Sequence, residues 1–503
     1  MKFFGELTKQ TFVNKVCSIS NGLAGQTVIY GLGTIVPRLL NYLLLTPFYT
    51  RIFIQQEYGA ISELYAFSTL LFVILTHGME TTYFRFSVKG CDEEKRCFNN
   101  ALFSTGFFAL LFFILTIFFN HQIADLIGYK QNSNYIICFA FIIFFDVVTA
   151  IPFARLRNQN KALKFALIKL VNVLVNIGLN LFFFVLCKDS DNQSLAALYN
   201  ENIGIGYAFI SNVASSLISF ILLLSEYKNF TFKLDFKSYF EMLKYAWPLV
   251  IIGLAGMINE AGDKILLKYF ISPELDPLHE LGIYAANYKL AVLMTIFIQM
   301  FKYAAEPYFF RKSLSSDAKE SYKLVMTFFV IFCLIIFLAV ILFIDLFKYF
   351  IGANFWSGLN IVPIVLLANM LLGVYYNLSV WYKINNLTHC GAIISVVGML
   401  VTLFLIAILV PKYGYVGCAW ATFACYSTMV VLSYFWGSRV YKVDYEVKKI
   451  LFYIVFSIII VLARGIFEID CKFWSIFVSS LFILLFFIVV LFIEKETIKK
   501  LCK

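Results

Sequence analysis

Charged side chains make up only 14% of the 503 residues, proline contributes nine of them, and no tract rich in proline, serine or glycine divides the chain. Soluble domains carry about 25% charged residues, so this chain has too few to face water over its whole surface. With no linker composition, a second, soluble domain is excluded. The 11 cysteines form no CxxC and several sit in apolar runs; they read as free thiols in hydrocarbon, which excludes a disulfide scaffold. His77, His121, His279 and His389 lie far apart, with neither HExxH nor a paired metal spacing, so no metal and no cofactor is expected. A GxxxxGK run followed by serine or threonine is also missing, which excludes an intrinsic nucleotide-hydrolysing loop.

What is present is apolar: 61% hydrophobic residues and a mean hydropathy of +0.82. A hydrocarbon core about 30 Å thick takes about 20 helical residues per crossing. By that measure fourteen stretches qualify: 26–49, 58–79, 98–119, 134–153, 165–187, 203–225, 246–267, 281–301, 324–345, 359–380, 390–410, 414–436, 450–467 and 473–493. Runs such as Phe107 to Phe119 are apolar on every face, so the expected fold is an all-α integral membrane bundle and not a barrel. The first stretch starts too far in, and is too polar, for a cleaved signal sequence. Residues 1–25 read as a cytoplasmic segment along the interface.

Orientation follows from lysine and arginine, which stay cytoplasmic during insertion. With the amino terminus inside, 29 of the 41 fall on inner segments and 9 on outer ones. Both termini are therefore expected in the cytoplasm. The net charge of +11 is then a topology signal answered by anionic lipid heads, and nucleic acid is not called for.

The sequence also repeats. Tyr58-Gly59-Ala60-Ile61 and Leu64-Tyr65 align with Leu281-Gly282-Ile283-Tyr284 and Asn287-Tyr288, and Pro37 falls near the level of Pro248. Six stretches separate the copies, so the halves would be parallel, related by an axis along the membrane normal. The expected organisation is a six-helix bundle over 26–225, a cytoplasmic linker over 226–245, a second bundle over 246–436, and two extra helices with a tail over 437–503. A central cavity is expected between the bundles.

Ionisable groups within spans are costly and mark function or pairing. Arg38 follows Pro37, where freed carbonyls and a guanidinium suit a phosphate; the alternative is an ion pair with Glu63 or Asp146. In the repeat register Glu63 and Lys289 stand one turn apart on equivalent helices, which sets opposite charges on facing walls. Asp146, Glu260 and Asp263 join Glu63 as carboxylates able to hold a coupling proton or sodium ion, although Asp263 and Lys264 also fit an outer-interface charge. Lys169 is expected to snorkel to the inner surface. Glu80, Arg85, Arg155, Arg157 and Glu306 gather at inner helix ends, as a gate of ion pairs or as a plain cytoplasmic rim. Asn41, Tyr284 and Tyr288 add hydrogen-bonding and stacking groups for a diphosphate and its sugars.

Five strings, GMETTYFRF (78–86), AIPFARLRNQNKALKFALIKLVN (150–172), GIYAANYKLAVLMT (282–295), FKYAAEPYFF (301–310) and YYNLSVWYK (375–383), together resemble the polysaccharide transporter family. These are Wzx-type flippases of lipid-linked oligosaccharides in the MOP exporter superfamily. The resemblance runs from about residue 24 to 440. It implies two six-helix bundles around a cavity open alternately to either side, and transport of undecaprenyl-diphosphate-linked oligosaccharide to the periplasmic leaflet of the bacterial cytoplasmic membrane. It implies no bond chemistry, function as a monomer, and polymerase and chain-length partners downstream. Family cavities are expected to be cationic, which falls on Arg38 and Lys289, whereas the in-span charges here are of mixed sign. A MATE-type multidrug antiporter is the first rival, but such proteins usually end after twelve spans. A lipid II flippase is the second, yet only Arg38 supplies an arginine between residues 26 and 79, apart from Arg51 in the outer loop.

Overall fold

In a computed structural model of the chain, the residues described are 23–87, 91–188, 192–228, 230–231, 234–313, 315–467 and 471–501. The expected interfacial segment over 1–25 lies, up to residue 22, outside them. Among the described residues the regular structure is entirely helical. The principal helices are α1 (Leu23–Leu40), α2 (Gln55–Thr76), α3 (Cys91–Phe118), α4 (Ser133–Asn158), α5 (Ala162–Leu181), α6 (Gly206–Tyr227), α7 (Phe236–Phe270) and α8 (Pro277–Leu290). They continue with α9 (Val292–Lys312), α10 (Ala318–Leu342), α11 (Val362–Leu378), α12 (Thr388–Tyr413), α13 (Tyr415–Val440), α14 (Val447–Ile466) and α15 (Lys472–Ile493).

Helices lie over all fourteen apolar stretches. Among the described residues, twelve are long and apolar enough to cross a membrane, or thirteen if α8 and α9, bent by 51° at Ala291, count as one. The bend has a local cause: the helix ladder lapses at Ala291, whose N–H reaches back only to Tyr288. The first stretch is helical but irregular. Pro37 lies inside α1, a π-helical turn follows at Asn41–Leu45, and a short helix, Thr46–Ile52, completes it. Proline removes an amide donor and crowds the preceding turn, and π turns take up the misfit. The linker expected over 226–245 is shorter than its composition suggests, because α7 begins at Phe236 and continues through Pro248 to Phe270.

The chain forms two compact units, one of Leu64–Met257 with the residues up to Leu45, the other of Thr46–Glu63 with Ile258–Lys503. The division departs from the expected 26–225 and 246–436 at two places, each for a packing reason. Residues 246–257 stay with the first unit: a Cβ on Gly78 would stand 3.1 Å from Leu249, and one on Gly253 would stand 2.9 Å from Val73. Residues 46–63 join the second unit through three close backbone approaches. A Cβ on Gly59 would run into the Leu278 carbonyl, one on Gly282 into the Gln55 carbonyl, and one on Gly352 into the Thr50 carbonyl.

The first two contacts are reciprocal. Gly59 and Gly282 occupy equivalent places in the repeat, and each meets the carbonyl four residues ahead of the other. Small residues let helix backbones approach this closely where no hydrophobic effect drives them together. Hydrogen bonds complete the seam: Arg51 Nη2 donates to the Tyr349 carbonyl at 2.8 Å, Gln55 Nε2 to the Asn354 carbonyl at 2.7 Å, and the Gly352 N–H to Thr50 Oγ1 at 3.1 Å. The start of α8 is fixed by Asp276, whose Oδ1 accepts from the Leu278 and His279 amides ahead of a first-turn Pro277, a strong start signal.

Gly59→Ala and Gly282→Ala are each expected to lower stability by about 1–3 kcal/mol, the usual cost of overpacking, read as a fall in unfolding temperature of the purified protein. Gly106→Ala, where an added Cβ meets nothing within 4 Å, is expected to be neutral or to gain up to about 1 kcal/mol of helix propensity. Equal tolerance at all three positions would show that the seam is not close-packed.

Candidate functional site

In the first unit, Arg38 is exposed and makes no ion pair among the described residues. It stands between Pro37 and the π turn, and Asn41 in that turn has a buried Oδ1 without a hydrogen-bond partner. Asp146, in the same unit, makes no ion pair with Arg38; its carboxylate accepts from Ser216 instead.

Asp146 on α4 accepts from Ser216 Oγ of α6 at 2.8 Å and is otherwise exposed. Lys169 on α5 lies close enough to interact with it electrostatically. Its Nζ sits 4.1 Å over the Phe153 ring. A polar row continues from there. Asn172 Nδ2 donates to Ser219 Oγ at 3.0 Å, Asn212 Nδ2 to Tyr65 Oη at 2.8 Å, and Asn180 Nδ2 to Asn176 Oδ1 at 3.0 Å. The sequence reading passed over these residues. The signal was there: Ser211, Ser215, Ser216 and Ser219 recur at helical spacing in an otherwise apolar segment, which places them on one face of α6.

At the inner helix ends the expected gate residues separate into different roles. Arg155 is 4% exposed. Its Nε lies 3.3 Å from Glu94 Oε1, its Nη1 donates to the Glu226 carbonyl at 3.0 Å, and its guanidinium covers the Phe98 ring at 4.4 Å. Tyr83 donates to the same Glu94 at 2.8 Å, and Lys164 to Glu226 at 2.6 Å. Arg155 is thus the centre of a closed network that ties α3, α4 and α6 together, not an opening group. Arg157 and Glu80 form a separate 2.7 Å pair that is 45% and 38% exposed, and Arg85 lies 4.2 Å over the Tyr245 ring.

The second unit holds the remaining candidates. Glu63, fully buried, accepts from Lys268 Nζ at 3.1 Å, where the repeat register pointed to Lys289. Asp263 is 2% exposed. Its Oδ2 accepts from the Tyr284 hydroxyl, while its Oδ1 accepts from the Lys264 amide at 2.8 Å and Lys264 Nζ at 3.3 Å. Tyr284 is therefore wholly buried and presents no face to a sugar. Tyr288 lies under Lys264 Nζ at 4.2 Å and donates to Asn369 Oδ1 at 3.3 Å, so its ring is also partly occupied. Lys289 is half-buried on the last turn of α8, and Glu260 is exposed on α7. Glu306 pairs with Lys383 at 2.7 Å. No group of three or more metal-ligating side chains occurs among the described residues.

The family model described as "Polysaccharide biosynthesis protein" matches residues 23–313, and the chain belongs to that family. None of the curated proteins matches it. Among solved structures it is similar to the lipid II flippase MurJ in an inward closed conformation, with a TM-score of 0.69 and 17% identity over 94% of this chain and 100% of that one. It is also similar to a multidrug resistance MATE family transporter of the MOP superfamily. The inward-facing form of that transporter gives a TM-score of 0.61 and 12% identity over 84% of this chain and 97% of that one. Its outward-facing form gives 0.58 and 11% over 85% and 98%. These likenesses show that the chain shares the fold of those structures.

Removing the buried Arg155 takes the cation from Glu94, itself only 15% exposed, so Arg155→Ala is expected to cost about 3–5 kcal/mol. The exposed neighbour behaves differently: Arg157→Ala is expected to cost no more than about 1 kcal/mol. Thermal unfolding of the two variants checks this, and similar losses would remove the distinction between buried network and exposed pair.

Proposed function

We propose that this protein carries oligosaccharide units linked to a polyprenyl diphosphate from the cytoplasmic to the outer leaflet of a bacterial cytoplasmic membrane, for surface polysaccharide synthesis. Membership of the polysaccharide biosynthesis family over residues 23–313 is the observation that carries the reading. The orientation that goes with it has fourteen spans and both termini in the cytoplasm, which the lysine and arginine bias supports. The chain acts by alternating access, and no covalent bond is made or broken.

The physical difficulty in such transport is the head group. Two phosphates and several sugars cannot cross hydrocarbon unaided, whereas the polyprenyl tail can remain in lipid. Arg38 supplies a cation that pairs with no carboxylate among the described residues, at a break in its helix where amide and carbonyl groups are loosened. Asp146, held by one serine hydroxyl and otherwise exposed, is the carboxylate best placed to exchange a proton or sodium ion. Asp263 is not, because its two oxygens already accept three hydrogen bonds.

Liposomes containing the purified protein and a short polyprenyl diphosphate oligosaccharide test the reading, with leaflet exchange scored with and without proton and sodium gradients. Saturable exchange of the glycolipid is expected. Arg38→Ala should slow it at least about tenfold, the loss that follows from one charge-assisted hydrogen bond of about 1.5–3 kcal/mol. Asp146→Asn should abolish any gradient dependence and leave the Asp263→Asn variant to report only on stability. Export of a hydrophobic cation without glycolipid exchange would sink the flippase reading in favour of a multidrug antiporter.

A further inference from the structure

The second unit contains a pocket that none of the roles above uses. It is a half-open groove at the carboxyl-terminal part of α9 and the end of α11, and it continues along the short helix Val380–Ile384. Its composition is unusual for a gap between apolar helices. Two lysines, Lys302 and Lys383, and one carboxylate, Glu306, line it together with aromatic rings.

The two ammonium groups are held differently. Lys383 Nζ donates to Glu306 Oε1 at 2.7 Å, and the pair is 27% and 42% exposed. Lys302 Nζ stands 4.6 Å over the Tyr376 ring and makes no ion pair among the described residues. The lining itself therefore holds two ammonium groups and one carboxylate, with Glu260 of α7 near enough to act on Lys302. Its apolar wall is firm on one side and open on the other. Phe301 packs on Phe329 at 4.5 Å between ring centroids and Phe309 meets Tyr322 edge-on at 5.2 Å, while Phe310 is 45% exposed.

We propose that this pocket binds the phosphate of an amphiphile, with Lys302 and Lys383 on the phosphate oxygens and the hydrocarbon chain laid past Phe310 into the bilayer. Lysine ammonium groups recognise phosphate as point charges, and Tyr376 under Lys302 keeps that ammonium over the opening without neutralising it. An incoming phosphate competes with Glu306 for Lys383, so the carboxylate sets the threshold for binding. Placement of the site in the inner leaflet rests on the orientation adopted under the proposed function. Two sources supply this chemistry there: the polyprenyl diphosphate of the transported lipid and the anionic phospholipids of the membrane itself.

The test uses the full chain in detergent, titrated with undecaprenyl diphosphate and, separately, with phosphatidylglycerol. The double variant Lys302→Gln with Lys383→Gln is expected to weaken binding at least about tenfold, as loss of charge-assisted contacts requires. Glu306→Gln is expected to tighten it, a gain that mere disruption of the fold would not produce, and Lys302→Arg should restore binding. A response confined to undecaprenyl diphosphate identifies a site for the transported lipid; the same response with phosphatidylglycerol identifies a site for membrane lipid. If neither lipid responds to any variant, while each variant unfolds at the wild-type temperature, the proposal is overturned. Its fate is separate from that of the transport reading: glycolipid exchange in liposomes can persist when the pocket fails, and the pocket can bind phosphate in a protein that exports cations.

Discussion

Hydrocarbon gives an ionised side chain no partner except other protein groups, and that constraint orders both units. Glu63 has Lys268, Asp263 has Tyr284 and Lys264, and Arg155 has Glu94 and the Glu226 carbonyl. Each is buried almost completely, and each would be costly to leave alone. Such pairs say little about transport, since a charge already paired within the protein is less available to a ligand. The informative groups are those that the fold leaves exposed or only singly bonded despite their depth in the sequence: Arg38 beside its broken turn, Asp146 with Ser216, and Lys302 over Tyr376.

The same constraint makes backbone approach, and not apolar burial, the means of joining helices. Lipid tails solvate leucine as well as another helix does, so association depends on contact distance and on hydrogen bonds. The Gly59 and Gly282 crossing meets that need twice, once in each direction, and draws residues 46–63 away from the bundle to which their position in the chain would assign them. Glycine is required there because of what stands opposite, a carbonyl in each case, and not because of its backbone freedom. At Gly414 the reason is the other one: φ of +55° turns the chain between α12 and α13.

Much of this was legible in advance. Apolar stretches of about 20 residues each fall on helix, though α3, α7 and α10 start six to ten residues early and the stretch 281–301 is divided between α8 and α9. The alignment of Tyr58-Gly59 with Leu281-Gly282 named the two crossing glycines as equivalents, although nothing in it said that they touch. Charge partners were harder. Glu63 and Lys268 are 205 residues apart and belong to no common pattern, and the repeat register favoured Lys289 because it counts residues along a helix without knowing where α8 bends. Tyr284 and Tyr288 read as stacking rings for the same reason: sequence shows an aromatic on the repeat, but only the position of Asp263 decides that one hydroxyl is turned inward.

The contrast between the two acids then bears on coupling. A carboxylate that exchanges a cation must lose its existing bonds when the cation arrives and regain them when it leaves. Asp263 would have to release the Tyr284 hydroxyl, the Lys264 amide and the Lys264 ammonium in a site that is 2% exposed. Asp146 would release one hydroxyl, from Ser216, with Lys169 near enough to adjust the local field. A buried polar group that loses a partner costs about 1–3 kcal/mol each time, so three bonds set a far higher barrier than one. Between these two acids, Asp146 with its one hydroxyl contact is the one we propose changes charge state within a transport cycle, while Asp263 with its three ties α7 to α8.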